Sequence, residues 1–334
     1  MESLPERISR RAIPEGLDRA RAVGRSPTTG LGVDRRLIPQ PPTRTGQEAR
    51  RPMTGMPTQG AVMGSAARVA GSVPPQPRVL CVINRKGGVG KTTTAFNVAG
   101  TLADMGHQVL IVDLDPMGSL CRSLDIRPGK VSLSDLLVGL DGSIGELICQ
   151  TQIPNLHVIP GDPNLRTLEL RYGASTGLRH VLRERLSEVL KWVPYPFVII
   201  DCPPSLGLIS GNALIASGEA IIPIDGSSYG LGALVDTLGV VKLVRDNVNK
   251  DLTVCGLLLN NVDMSTVYDR TVLDVLHHQF HSMLFKTVIP ASPESDICSH
   301  LGVPVVHYAP SCWMAKAYRQ LADEIVARRP QRVR

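Results

Sequence analysis

The chain has 334 residues with 43% hydrophobic content, enough to bury the core of one large domain or two modest ones. No apolar run approaches the roughly 18 residues of a membrane span, and no apolar signal-peptide core stands at the start. Seven scattered cysteines without a C-x-x-C pair exclude an obvious disulfide framework or structural zinc site and fit a soluble, cytoplasmic protein.

The charge is unevenly placed. Residues 1–77 hold twelve arginines, no lysine and six acidic residues, which accounts for the whole formal charge of +6. That segment is rich in Pro, Gly, Arg and Thr, and its few apolar residues show neither a 3.6 nor a 2.0 period. A disordered basic tail is expected there, with only residues 14–23 able to form a short helix. A flexible chain of that length has a root-mean-square reach of roughly 50 Å.

From Arg78 the texture changes. "RVLCVIN", "QVLIVDLD", "NLHVIP", "FVIIDCPP", "AIIPID", "VCGLLLN" and "KTVIP" read as short strands. Between them, residues 178–193 carry an apolar stripe of helical period. Apolar strands alternating with amphipathic helices predict a doubly wound α/β fold, its mostly parallel sheet covered by helices on both faces. A last helix is expected over roughly 311–328, stopped by Pro330, with a short basic end over 330–334.

The stretch "INRKGGVGKTTTAFN" (83–97) sits between the first strand and a helix. Strand, glycine loop and helix N-terminus together make a phosphate cradle of the P-loop NTPase type. Backbone N–H groups and the helix dipole face the anion. Lys91 reaches toward the β- and γ-phosphates, and the Thr92 hydroxyl is placed for Mg²⁺. The loop departs from G-x-x-x-x-G-K-[ST]: Arg85 stands where the first glycine belongs, and Lys86 precedes Gly87 and Gly88. Asp113 and Asp115 end one strand and Asp201 another, at the carboxyl edge where open α/β sheets bind ligands.

These residues resemble a family. K-G-G-V-G-K-T-T, D-L-D-P, I-I-D-C-P-P-S-L-G and the late V-I-P are similar to the ParA/MinD group of deviant Walker ATPases, most closely to the ParA/Soj partition ATPases, over residues 78–329. The resemblance implies binding of ATP and Mg²⁺ by Lys86, Gly87, Gly88, Val89, Gly90, Lys91, Thr92 and Thr93. It implies that Lys86 crosses to the partner's nucleotide in an ATP-sandwich homodimer. It assigns Asp115 to hydrolysis and Asp201 to Mg²⁺, with Thr92 and Asp115 completing the metal set, and places adenine near Asn260 and Pro290. The catalytic set is then Lys86, Lys91, Asp115 and Asp201. A slow ATPase stimulated by a ParB-like centromere-binding protein, bound nonspecifically to DNA and associated with the nucleoid, is the implied activity.

The chain also departs from the pattern. Met117 and Ser119 stand where the family has Q and N in D-P-Q-G-N. The loop 290–296 carries Glu294 and no arginine, while Arg270 matches a basic residue that relatives use on DNA. No helix-turn-helix pattern precedes the ATPase part, and the C-terminal end has too little apolar surface for a membrane helix. Related ATPases position division sites, chemoreceptor arrays or carboxysomes, so the cargo stays open. "GSSYG" (226–230) fits a serine nucleophile elbow, with Asp263, Asp269, Asp274, His300 and His307 downstream. His277 and His281 have the i, i+4 spacing of a metal pair, and surface or packing roles fit them better.

Overall fold

The computed structural model describes residues 76–328 except 127, 128, 130, 174, 176, 228, 229 and 264, and omits the side chain of 268. The basic tail up to residue 75, the C-terminal end from residue 329, and Ser228 of the elbow-like turn lie outside the described residues.

Seven described strands form one sheet: β1 (Arg78–Val82), β2 (Val109–Asp113), β3 (Cys149–Gln150), β4 (Leu156–Ile159), β5 (Phe197–Asp201), β6 (Glu219–Ile224) and β7 (Thr253–Leu259). Their order is β3-β4-β2-β5-β1-β6-β7. All pairings are parallel except β3 with β4. Helix α1 (Lys91–Asp104) follows β1, and α2 (Ser119–Ser123) and α3 (Leu133–Leu137) follow β2. Helices α4 (Asn164–Tyr172) and α5 (Val181–Leu190) lead into β5, with α6 (Leu208–Ala216) and α7 (Gly230–Asn247) on either side of β6. After β7 come α8 (Val267–Phe280), α9 (Glu294–Leu301), α10 (Val305–Tyr308) and α11 (Trp313–Ala327).

Every residue of β2, β5, β6 and β7 is buried. Strands covered on both faces need apolar side chains at every position, which is why they read as continuous runs. Leu80, Val82, Val109, Ile111 and Ile199 share one core with Ala95, Val98 and Leu102 of α1 and Tyr318, Leu321 and Ile325 of α11. Helices α4 to α7 pack on one another as a second layer. Arg78 ties the last helix to the start of the sheet: its guanidinium donates to both oxygens of Glu219 at 2.7 Å and to the Ile325 carbonyl at 2.6 Å.

Sheet growth reverses at β1. The next strand, β2, lies on the β5 side, whereas β6 and β7 lie on the other. A crevice therefore opens beyond the carboxyl end of β1, where the chain turns into residues 83–90.

One expected strand is absent. "KTVIP" (286–290) runs beside β7 but forms no ladder with it: one isolated bridge joins Leu257 to Leu284 just before it, and another joins Val262 to Pro290 at its end. Phe285 and Ile289 donate N–H to the carbonyls of Leu257 and Leu259. The intervening N–H groups of Lys286 and Thr287 turn instead to the Glu324 carboxylate of α11, at 2.9 and 3.2 Å. A carboxylate that captures two backbone donors breaks the ladder there.

Candidate functional site

Gly88 and Gly90 have φ of 78° and 81°, a region open to glycine at little cost. Gly90 is also the residue before α1, so the loop turns its backbone directly into the helix N-terminus. A side chain at Gly90 would run into the Asn260 amide, whose Nδ2 donates to the Val89 carbonyl at 2.7 Å. Asn260, buried just beyond the end of β7, thus braces the loop from the second strand over. At the loop's start, Asn84 Nδ2 donates to the Pro223 carbonyl at 2.8 Å and its Oδ1 accepts from Lys86 N at 2.9 Å.

The two lysines are held differently. Lys91, 7% exposed, points back along the loop and donates to the Lys86 carbonyl at 2.9 Å. Burial lowers its pKa, while the charges of Asp201, Cys202 and Asp115 oppose that shift. Lys86 Nζ instead pairs with the carboxylate of Asp225, just beyond β6, and donates to the Ser227 hydroxyl at 2.5 Å. Ser227 in turn donates to the other Asp225 oxygen at 2.9 Å. Arg85 is held by the same region of the chain: NH1 lies 2.5 Å from Asp236 and its backbone N–H donates to Thr237 at 3.2 Å. Both cations of the loop are therefore neutralised within their own chain.

Two carboxylates end the adjacent strands β2 and β5, and the charge of one of them, Asp201, acts on Lys91. Asp113 and Asp201 are direct partners on the β2–β5 ladder, and neither is exposed. Asp113 is occupied internally: Oδ1 accepts from Asp115 N at 3.0 Å, and Oδ2 accepts from the Cys121 thiol at 3.1 Å. Burial pushes its pKa up to about 6. Neither oxygen of Asp201 has a hydrogen-bond partner. Burial, and then the neighbouring Asp113 charge, hold its carboxyl well above the usual range, against the pull of the Thr92 hydroxyl and Lys91. A buried carboxylate with both oxygens open demands a proton or a cation. Asp115 stands at the rim, its Oδ1 accepting from Met117 N at 2.9 Å.

A cavity of about 260 Å³ adjoins the loop, lined by Gly88, Gly90 and Thr93 together with Asn260, Asn261, Ile289, Pro290, Ser292, Ser295, Asp296 and Met314. The structure thus brings Asn260 and Pro290, 30 residues apart in the chain, to one wall beside the phosphate loop. Among the residues without an assigned role in the sequence, Asp225 holds Lys86 together with Ser227 of the GSSYG turn, and Glu169 reaches the start of α6. Asp225 was within reach of the carboxyl-end rule, because it follows the strand "AIIPID". Glu169 carried no motif signal.

Family membership follows from comparison. Residues 77–254 match the model of the AAA domain family. The chain is 38% identical over 253 residues to the sporulation initiation inhibitor protein Soj of Bacillus subtilis, covering 75% of this chain and 98% of that protein. It is 32% identical over 257 residues to the chromosome partitioning protein ParA of Caulobacter vibrioides, covering 76% and 96%. The chain belongs to the ParA/Soj family of partition ATPases. Among solved structures, the cobyrinic acid a,c-diamide synthase of Mycobacterium smegmatis with bound ADP and magnesium matches this ParA/Soj member with a TM-score of 0.62 at 30% identity, covering 74% and 93% of the two chains. The septum site-determining protein MinD of Pyrococcus horikoshii, complexed with Mg-ADP, matches with a TM-score of 0.61 at 28% identity, covering 75% and 96%.

Among the described residues, Ser227 of the GSSYG turn meets the site through Lys86, and the other motif residues have different partners. His307 pairs with Asp104 at 3.1 Å, at the end of α1 opposite the loop, while Ser227 is engaged with Lys86. The rings of His277 and His281 are 6.4 Å apart, and among the described residues no group of three or more His, Cys, Asp or Glu could hold a metal ion. Arg270 donates to the carbonyls of Thr266 and Ser265 at 3.2 Å each, at the start of its own helix. No helix among the described residues is long and apolar enough to cross a membrane.

The buried pair makes stability depend on pH. Asp113 binds its proton more tightly in the folded protein than its ordinary value of 3.8. Its contribution to stability is therefore fully present below pH 3.8 and is lost as pH rises through about 6. At about 1.4 kcal/mol per pKa unit, Asp113→Asn should stabilise the nucleotide-free protein by on the order of 1–3 kcal/mol at pH 7.5. Urea unfolding of parent and variant should show that difference growing between pH 4 and 7. A difference constant with pH would mean that Asp113 is not proton-linked.

Proposed function

We propose that this chain is an ATP-dependent dimerising ATPase that acts in plasmid or chromosome partition, with hydrolysis that is slow alone and stimulated by a ParB-like partner. The observation that carries the reading is the pairing of a glycine loop on a helix N-terminus with Asp201, buried beneath it and without a hydrogen bond. The loop supplies backbone donors for phosphates, and the orphaned carboxylate fits a divalent cation. Partition is favoured over other cargoes because the Soj and ParA relatives are 38% and 32% identical, against 28% for MinD.

In this reading the N–H groups of residues 88–91 and the Lys91 ammonium bind the β- and γ-phosphates of ATP. Thr92, Asp201 and Asp115 hold Mg²⁺, which supplies charge neutralisation for phosphoryl transfer to water. Asp115, at the rim, orients the attacking water. Asn260 and Pro290 flank the base in the adjoining cavity. Lys86 leaves Asp225 and reaches the nucleotide of a second subunit. A unit pair at ~4 Å gains about 4 kcal/mol at an effective dielectric near 20, enough to make association depend on the triphosphate.

The two lysines should separate in mutants. Lys91→Ala should weaken ATP binding about 100-fold or more, since the phosphates lose their charge in the same subunit. Lys86→Ala should keep ATP affinity within about threefold and lose ATP-dependent dimerisation. Isothermal titration and light scattering with ATP and Mg²⁺ measure both, and a normal dimer of the Lys86 variant sinks the crossing role.

Asp115→Ala should bind ATP and accumulate as a dimer, with hydrolysis reduced by about 100-fold. Hydrolysis at the parent rate would reduce Asp115 to a turn residue.

The twelve arginines of residues 1–77 fit nonspecific contact with DNA phosphates, in a protein whose 290–296 loop has no arginine. If about four phosphates are neutralised, affinity should fall roughly 100-fold between 50 and 200 mM salt. Titration of the full chain against a chain starting at Val73 tests this, and equal affinity with equal salt slope eliminates the tail as a DNA contact.

A further inference from the structure

The loop that leaves Asp201 runs over residues 202–207 and enters α6 at Leu208. The first N–H groups of any helix lack intrahelical partners, and Gly207, preceding α6, has no side chain to offer them. Here the donors are met from a distant helix. Glu169 of α4 accepts from Leu208 N through Oε1 and from Ile209 N through Oε2, at 3.0 Å each. The carboxylate lies so close that a Cβ at position 207 would strike it. A charged acceptor on two adjacent amides is the strong, directional form of such a cap.

The other end of the same segment touches the other aspartate loop. A Cβ on Gly161 would stand 2.5 Å from the Asp113 carbonyl and 3.2 Å from that of Asp115. The turn after β4 therefore lies flat on the backbone that presents Asp115. Asp162 holds that turn against Ser134, accepting from its N–H at 3.0 Å and its hydroxyl at 2.7 Å. Twelve residues, 161–172, thus rest on the Asp115 loop at one end and grip the far end of the Asp201 loop at the other.

We propose that Glu169 is a positioning residue for ATP hydrolysis: by capping α6 from α4 it fixes the 202–207 loop relative to the Asp115 loop. The role rests on the ATPase reading above and extends it to a residue outside the phosphate loop and its aspartates. The loop has one fixed end at Asp201, the last residue of β5. With Glu169 in place both ends are fixed, so the intervening backbone is preset rather than assembled during the reaction. In that reading residues 86–93, Asn260 and Pro290 bind the nucleotide from outside this loop, whereas the loop itself starts at the metal-holding Asp201 and sets Pro204 against Gly87, 4.0 Å from where a Cβ there would stand. Losing the cap should therefore act on turnover and leave binding alone.

Glu169→Gln tests this with nearly the same shape. The amide keeps one acceptor and turns its NH₂ toward the second backbone donor, which breaks the bidentate cap. In the full-length protein the turnover number for ATP should fall about tenfold, because displacing groups from reacting distance is costly. The affinity for a non-hydrolysable ATP analogue should stay within about twofold. Hydrogen–deuterium exchange of the nucleotide-free protein should quicken over residues 202–209 and remain unchanged in β1 and β5. An unchanged turnover number overturns the role, even with a lower melting temperature, since Glu169 would then be a structural cap only. A loss of analogue affinity parallel to the loss of turnover also overturns it, as would unchanged exchange over 202–209. Absence of hydrolysis by the parent chain would sink the ATPase reading and this role together, whereas an active parent with an equally active variant sinks this role alone.

Discussion

Two buried carboxylates face each other across the β2–β5 ladder, and the rest of the site is arranged around that pairing. Asp113 and Asp201 are register partners with no exposure, so each raises the cost of ionising the other. The structure resolves the conflict by dividing their tasks. Asp113 spends both oxygens on the protein, on Asp115 N and the Cys121 thiol, and becomes part of the frame. Asp201 is left with none, which leaves its oxygens available beneath Lys91 and Thr92. A parallel sheet makes this arrangement possible: it brings every carboxyl end to one edge, and covered faces keep water away from the pair.

The phosphate loop is braced from the two strands on one side of it. Asn84 holds its start to Pro223 of β6, and Asn260 holds its end from β7. The two cations of the loop are neutralised by Asp225 and Asp236 of the segment that follows β6. The exposed Arg85–Asp236 pair counts for little, since solvent screens it. The Lys86 pair, with both side chains about four-fifths covered, is the more consequential one.

The helices beyond the site contribute in the same way. Glu324 of α11 takes two amides that would otherwise extend the sheet past β7, which leaves residues 286–291 free to curve and form a wall of the cavity with Ile289 and Pro290. Glu169 of α4 takes the first two amides of α6. In both places a carboxylate from a distant helix supplies acceptors that local sequence does not.

The amino-acid sequence by itself determined the local chemistry. K-G-G-V-G-K-T after an apolar strand specifies a loop, a helix start and a phosphate cradle, because glycines, strand and helix dipole are all local features. The alternation of apolar runs with helical stripes determined a covered parallel sheet, and the aspartates at strand ends marked its working edge. Only the tertiary structure decided which aspartate is spent on the frame and which is left open. That choice depends on strand order, which sets Asp201 beside Asp113 rather than at a distance. It also decided that "KTVIP" is no strand, that Asn260 and Pro290 meet, and that Lys86 is held by Asp225 and α6 by Glu169. Each of these joins residues 30 or more positions apart, and period, composition and motif spacing carry no information about such pairs.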